Sequence, residues 1–337
     1  MDEKNLTLSV SPHAHAGDST RSVMLDVIIA LMPALIGSVY FFGFRVLMVC
    51  LVSAGACVFF EWGYRRLMKK DCTAGDLSAV VTGLLLAFVC PVTIPYWTLI
   101  IGDFFAIIVV KQLFGGIGQN FMNPALAARA FLFSWPVIMA TWVAPGTALS
   151  IFGSNVDAVT VATPLARMKT GLAPGVTMFD LYVGTTGGCL GETSAVLLLL
   201  GGVYLYMRDV ISARIPVSFL GTVALIAFLF PRGGNARMDW MLWQLCSGGV
   251  ILGAVFMATD YVTSPVTKWG QVIYGIGCGA LTMFIRYFGS YAEGVSYAIL
   301  IMNVCACFLD RVGVPKRFGY VKPEKVKKAK GGDGDAV

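Results

Sequence analysis

The sequence predicts an all-α polytopic membrane protein, with about ten transmembrane helices in two inverted five-helix repeats, several of them short or broken. Three observations predict it. Of 337 residues, 57% are hydrophobic and only 13% charged, with a mean hydropathy of +0.76. An ordinary soluble domain carries about 25% charged residues, so most of this chain needs lipid as its solvent. The apolar runs come in pairs separated by short polar breaks, and lysine and arginine gather in alternate connections. The net charge of +6, distributed in this way, reads as membrane orientation rather than nucleic-acid binding.

Residues 1–22 are polar and have no apolar core before a small-residue cleavage site, so they read as a cytoplasmic N-terminal arm and not a cleaved leader. Residues 23–143 make the first repeat, with spans near Val27–Phe42, Val46–Trp62, Leu77–Cys90, Trp97–Phe114 and Ala125–Val143. Residues 144–193 form a long extracytoplasmic connection. The second repeat occupies 194–311, with spans near Ser194–Met207, Val217–Phe230, Met241–Ala258, Val272–Phe288 and Val295–Leu309. Residues 312–337 are a basic cytoplasmic tail. Several spans fall short of the roughly 20 residues a full crossing needs. Pro91, Pro95 and Pro265 stand where broken helices would end.

An even number of spans places both termini on one side. The tail carries Lys316, Arg317, Lys322, Lys325, Lys327, Lys328 and Lys330, and the connection after the second span carries Arg65, Arg66, Lys69 and Lys70. Both fall on one side, which the positive-inside rule makes cytoplasmic. The repeat itself is weak in sequence. Val80-Val-Thr-Gly-Leu-Leu-Leu-Ala-Phe-Val-Cys-Pro91 resembles Gly249-Val-Ile-Leu-Gly-Ala-Val-Phe-Met-Ala-Thr-Asp260, each in the third span of its half. Five is odd, so two such halves have opposite topologies, an architecture that also suits an inverted-repeat transporter or channel without a redox role.

The nine cysteines do not form a disulfide framework, because most lie inside apolar runs and act there as small hydrophobes. Cys305 and Cys307 are two apart and share no helix face, so no metal site is expected from this chain. Three segments can carry chemistry. On the outer connection, Asp157-Ala-Val-Thr160-Val-Ala162-Thr163-Pro164-Leu165 offers a hydroxyl beside small residues. Local physics makes Thr163 a helix N-cap with proline in the first helical position. Lys111-Gln-Leu-Phe-Gly115-Gly116-Ile-Gly118-Gln-Asn120-Phe-Met-Asn123-Pro124 closes a glycine-rich loop between two spans, with Asn123 as an N-cap. It reads as a re-entrant loop or as a holder of a polar ring edge through Asn120 and Asn123. It is not a Rossmann turn, since no strand precedes it. The third comprises Met257–Pro265 and Glu293–Asn303; with them go the span-end acids Glu61, Glu192 and Asp310. Acids near lipid depth are costly and usually functional, unless they face interfacial water.

The outer segment resembles the acceptor at which a flavin transferase moves FMN onto threonine through a phosphoester, with Val161 where glycine is common. Together with Gly187–Leu205, Arg214–Pro216, Phe256–Pro265 and Glu293–Arg311, these motifs resemble the NqrB/RnfD family of membrane electron-transport subunits. That family serves two machines, the Rnf complex and the sodium-pumping NADH:quinone reductase. The short N-terminal arm is closer to the Rnf type. The resemblance implies a subunit of the bacterial cytoplasmic (inner) membrane, both termini cytoplasmic. Its complex passes electrons between ferredoxin and NAD⁺ with export of Na⁺ or H⁺, and the chain has no turnover alone. It implies covalent FMN at Thr163, framed by Asp157, Thr160 and Ala162, and a non-covalent riboflavin near Asn120 and Asn123. Glu61, Asp260 and Asp310 correspond to acids of the cation path. The implied partners are the other subunits, an FMN-carrying one among them, the flavin transferase and membrane lipid.

Overall fold

The apolar runs are helical in the computed structural model, which describes residues 19–71, 73–139, 141–147, 149–151, 163–192 and 194–314. No strand occurs among the described residues. Helix α1 spans Thr20–Phe42 and α2 Arg45–Leu67. A reciprocal capping box between Ser19 and Ser22 starts α1, and Gly43, at φ 79°, ends it. Helix α3 is Ser78–Phe88. Helix α4, Tyr96–Phe104, starts directly after Pro95 and continues as a π-helical stretch over Phe105–Gln112. Helix α5 is Pro124–Leu132 and α6 a single turn at Pro136–Met139.

The connection holds two short helices, α7 (Pro164–Lys169) and α8 (Met178–Val183), and a 3-10 turn at Leu190–Glu192. The second half contains α9 (Ala195–Met207), α10 (Arg214–Leu229), α11 (Arg237–Cys246), α12 (Val250–Leu252, continuing as a π-helical Gly253–Met257), α13 (Lys268–Phe288) and α14 (Val295–Leu309).

Two helices, α1 and α2, are long and apolar enough by themselves to cross a membrane, and α11 with the α12 stretch adds a third as a pair bent by 64°. The remaining segments are shorter, or, like α13, glycine-rich and less apolar. The boundaries differ from the sequence expectation where caps decide them. The run Ala125–Val143 breaks near Trp135, and Pro136 opens the new turn α6. Helix α10 begins at Arg214 rather than Val217, because Pro216 is tolerated in a first turn where its missing N–H costs nothing. Helix α13 begins at Lys268, where Thr267 Oγ1 accepts from Gly270 N at 3.2 Å.

The long segments alternate in direction between two ends. Thr20 of α1, Leu205 of α9, Lys111, Asn123 and Asp260 line one cavity, and Asp310 after α14 accepts a hydrogen bond from Val266 N at 2.7 Å on the same side. At the other end, Gly146 N donates to Phe41 O at 2.8 Å, Arg45 Nε donates to Val92 O at 2.8 Å, and Tyr287 OH donates to Phe230 O at 2.9 Å. Helix α1 therefore starts at the Lys111 end and α9 at the Thr163 end. The pairings correspond across the halves: α2 packs on α4 as α10 packs on α13, and α4 on α5 as α13 on α14.

Small residues let these pairs approach closely. A Cβ on Gly83 of α3 would lie 2.8 Å from the backbone of Ala54 on α2, and one on Gly279 of α13 would lie 2.8 Å from Phe219 O on α10. Such contacts are the usual route to helix association in lipid, where no hydrophobic drive acts between apolar faces. The shared interior is built from residues such as Leu31, Phe88, Leu126, Phe219 and Trp240. The periphery exposes Ile36, Leu51, Phe59, Leu225 and Phe284, as a lipid-facing surface does.

Candidate functional site

Two polar centres lie at opposite ends of the bundle. The first lies beside Thr163. Thr163 caps α7, its Oγ1 accepting from Ala166 N at 3.2 Å, as local physics predicts for Thr-Pro. The same residue lines a cavity of about 220 Å³, whose wall includes Phe133, Trp142, Tyr291, Arg129 and Glu293. Arg129, on α5, is buried, with 2% of its surface exposed. Its Nη1 donates to Ser296 Oγ at 2.9 Å, and its Nη2 pairs with Glu293 and lies 3.9 Å from Glu192 Oε1. Gly249 N donates to Glu293 Oε1 at 2.8 Å.

Two carboxyls thus share one guanidinium. Burial, and then the neighbouring Glu293, push the Glu192 carboxyl up to about 8. Burial also opposes ionisation of Glu293, but the Arg129 guanidinium outweighs it and holds that carboxyl below its ordinary value. Cys189, Glu192 and Glu293 bring three ligand atoms within 4.8 Å of one another. Arg129 Nη2 stands 3.5 Å from Cys189 Sγ and beside both acids, so a cation of the protein already serves this group. A second buried arginine, Arg286, is held by Gln244 O at 2.6 Å, Gln244 Oε1 at 2.8 Å and Ser247 O at 2.9 Å.

The second centre is at the Lys111 end. Glu61, fully buried, pairs with Lys111 Nζ at 2.9 Å. It also accepts from Thr73 Oγ1 at 2.8 Å and Gln112 Nε2 at 3.0 Å, while Lys111 donates to Ser78 Oγ at 2.7 Å. Glu61 is therefore not the interfacial, water-facing acid that one reading of its span-end position allowed. Beside it opens a cavity of about 320 Å³, lined by Lys111, Asn120, Asn123, Asp260, Ser78 and Phe256 among others.

The sequence expectations divide clearly. Asn120, Asn123 and Asp260 meet in one cavity wall. Asn123 is largely committed: its Oδ1 accepts from Ala125 N at 3.0 Å and Leu126 N at 3.4 Å, and its Nδ2 donates to Met257 O at 3.3 Å. Asn120 is less so, donating to Met122 O at 3.1 Å. Asp260 accepts from Thr263 Oγ1 at 3.1 Å. Asp310 stands apart from that wall, and its Oδ1 accepts from Val266 N and Thr267 N ahead of α13. Asp157, Thr160 and Ala162 lie outside the described residues. Arg129 escaped the sequence reading, although a lone arginine inside the apolar run Ala125–Val143 was the available signal.

Apolar exterior helices around two buried ionic centres, each with an adjoining cavity, define a helical membrane protein with internal polar sites. The comparisons with known proteins then place it. The NQR2, RnfD, RnfE family matches residues 7–319, and the chain belongs to that family. It is similar to the D component of the Na(+)-translocating ferredoxin:NAD(+) oxidoreductase complex of Acetobacterium woodii, 48% identical over 333 residues that cover 98% of this chain and 100% of that one. It is also similar to the D component of the proton-translocating ferredoxin:NAD(+) oxidoreductase complex of Clostridium ljungdahlii, 40% identical over 94% of this chain and 97% of the relative. The D component of the ion-translocating oxidoreductase complex of Actinobacillus succinogenes is 35% identical over 93% and 98% of the two chains.

Proposed function

We propose that this chain is the flavin-carrying membrane subunit of an ion-translocating complex that couples ferredoxin:NAD⁺ electron transfer to Na⁺ or H⁺ export. The near full-length relatives support the complex and the position within it, since their names state both. They name different ions, so identity alone does not choose between Na⁺ and H⁺. In this reading ten spans divide into repeats 23–143 and 194–311 around the outer connection 144–193. The arm 1–22, the tail 312–337 and the Lys111 end face the cytoplasm. The alternating helix directions and the charge asymmetry both favour that arrangement.

The observation that carries the flavin part is the place of Thr163. Thr163 lines a cavity whose wall includes aromatic rings and the buried Arg129. Flat aromatic walls with a few polar groups suit a ring cofactor, so the residues present fit FMN held through a phosphoester to Thr163. When bound, FMN exchanges one or two electrons and so bridges partners of either kind. The chain contributes enclosure by Phe133, Trp142 and Tyr291, a fixed positive charge from Arg129, and the Glu192 carboxyl, which exchanges a proton near neutral pH. At the other end, Asn120 and Asn123 line the cavity that would hold a second flavin, riboflavin. Glu61, Asp260 and Asp310 belong to the cation path.

The test is a denaturing gel of the complex from cells that contain the flavin transferase. This chain gives a flavin-fluorescent band, and Thr163→Ala abolishes it without loss of the protein band. A dark wild-type band would reject covalent flavin and favour a transporter with inverted repeats.

A further inference from the structure

A buried carboxyl outside both centres is Asp103. It lies in the middle of the α4 rod, fully buried, eight residues before Lys111. Asp103 Oδ1 is 2.6 Å from Ser53 Oγ and 3.2 Å from Cys57 Sγ, both on α2. Ser53 Oγ is also 2.9 Å from Gly83 O on α3. Asp103 Oδ2 has no hydrogen-bond partner.

Counting donors decides the protonation state. A serine hydroxyl owns one proton, and a backbone carbonyl can only accept. If Asp103 were a carboxylate, Gly83 O and Asp103 Oδ1 would compete for the single Ser53 proton. A buried anionic oxygen, Oδ2, would also be left with no donor, and an unpaired buried charge is among the costliest features a fold can hold. One added proton removes both the competition and the stranded charge. Oδ1–H donates to Ser53 Oγ, Ser53 donates to Gly83 O, and Oδ2 becomes a neutral carbonyl oxygen.

No neighbouring charge changes this account. On α2 the facing groups are the Cys57 thiol and, one turn further, Glu61. The segment after α3 brings Cys90 into its field. On the same rod Lys111 is engaged by Glu61 and Ser78, and α5 presents Leu132 to the adjacent Gly102. Ser53, Cys57 and Glu61 recur every four residues, so they share one face of α2. They form a seam of three side chains along α2 from Asp103 to the Glu61–Lys111 pair, its middle member Cys57 packed with Ala79 and Ile107, and Lys111 lines the open cavity.

We propose that Asp103 is a proton-binding site at membrane depth, filled and emptied along this seam during turnover. Loading adds one proton to Oδ1, and unloading returns it past Cys57 and Glu61 to water in the Lys111 cavity; no electrons change hands at the carboxyl. The site deepens the ion-coupling part of the reading above and is independent of its flavin part.

Infrared spectroscopy of the purified complex tests it. The difference spectrum of wild type against Asp103→Asn should show the carbonyl stretch of one protonated carboxylic acid, displaced in Asp103→Glu, and its intensity should change when dithionite reduces the complex. An identical spectrum in Asp103→Asn means that Asp103 is ionised and overturns the proposal. A band that ignores reduction marks a fixed structural proton and also overturns it, as does a band removed by NaCl at constant pH, which marks a metal-cation site. If Asp103→Asn does not assemble, Ser53→Ala serves instead: removal of the acceptor must shift the band, and an unshifted band refutes the relay. The Thr163 gel band, read on the same preparations, reports the flavin reading separately.

Discussion

The two ionic centres differ in how completely their charges are answered. At the Lys111 end one acid meets one cation, and Glu61 collects three donors, from Lys111, Gln112 and Thr73. At the Thr163 end two acids meet one arginine, and both Glu192 Oε1 and Arg129 Nε are left without hydrogen-bond partners. A saturated pair leaves no buried charge stranded and holds helices in register. A centre with a surplus acid can gain or lose a proton at small cost, and it is the one that adjoins Thr163. Buried polar networks are worth most when fully satisfied, and an unsatisfied member points to chemistry rather than architecture.

The comparison is most easily broken at Arg129. Arg129→Met removes the guanidinium that pairs with Glu293 and Glu192 and leaves them only the more distant Arg286, and the expected cost is about 3–5 kcal/mol. It should appear as a large drop in thermal unfolding temperature of the detergent-solubilised protein; an unchanged temperature would show that the acids are neutral without it. Lys111→Met should cost less, about 3 kcal/mol, because Glu61 keeps Gln112 and Thr73 as donors. Pairing it with Glu61→Gln should recover most of the loss, since removing both partners leaves no stranded charge.

The most diagnostic change is Glu192→Gln, which should be more stable than wild type at neutral pH, because it keeps a neutral side chain and omits the cost of protonating a carboxyl that is ionised in the unfolded chain. Its effect lies in pH. The folded Glu192 carboxyl sits near 8, above its ordinary value of 4.5. Between those values the folded state binds the extra proton, so wild-type stability falls as pH rises from about 4.5 to about 8 and this loss is complete above that. Glu192→Gln should remove that slope. Chemical-denaturation midpoints measured across this range check it, and parallel curves for the two proteins would mean that Glu192 titrates normally.

Much of the fold was legible because lipid imposes a simple code. Runs such as Val46–Trp62 and Val295–Leu309 were found within a few residues of the observed helices, since no soluble alternative competes for such long apolar runs. The caps at Asn123 and Thr163 were legible because the signal is local, a side-chain acceptor directly before proline. The breaks were less so: the 64° bend between α11 and the α12 stretch lies in a Ser-Gly-Gly step inside one apolar run. Of the candidate site, Thr163, Asn120, Asn123 and Asp260 were visible as motifs. Arg129 and Asp103 were not, because each is a single ionisable residue in an apolar run, and its meaning depends on partners far away in the chain.

Composition, run spacing and charge asymmetry by themselves determined that this is a membrane protein of paired helices, and the motifs alone pointed to its family. Only the tertiary structure decided which polar residues meet. Arg129 reaches Glu293 across 164 positions of chain, and Asp103 reaches Ser53 across 50. Partition into lipid is a property of consecutive residues and can be summed along a sequence. The pairing of buried charges is a property of helix faces brought together by close-packed glycines, and no local sum contains it.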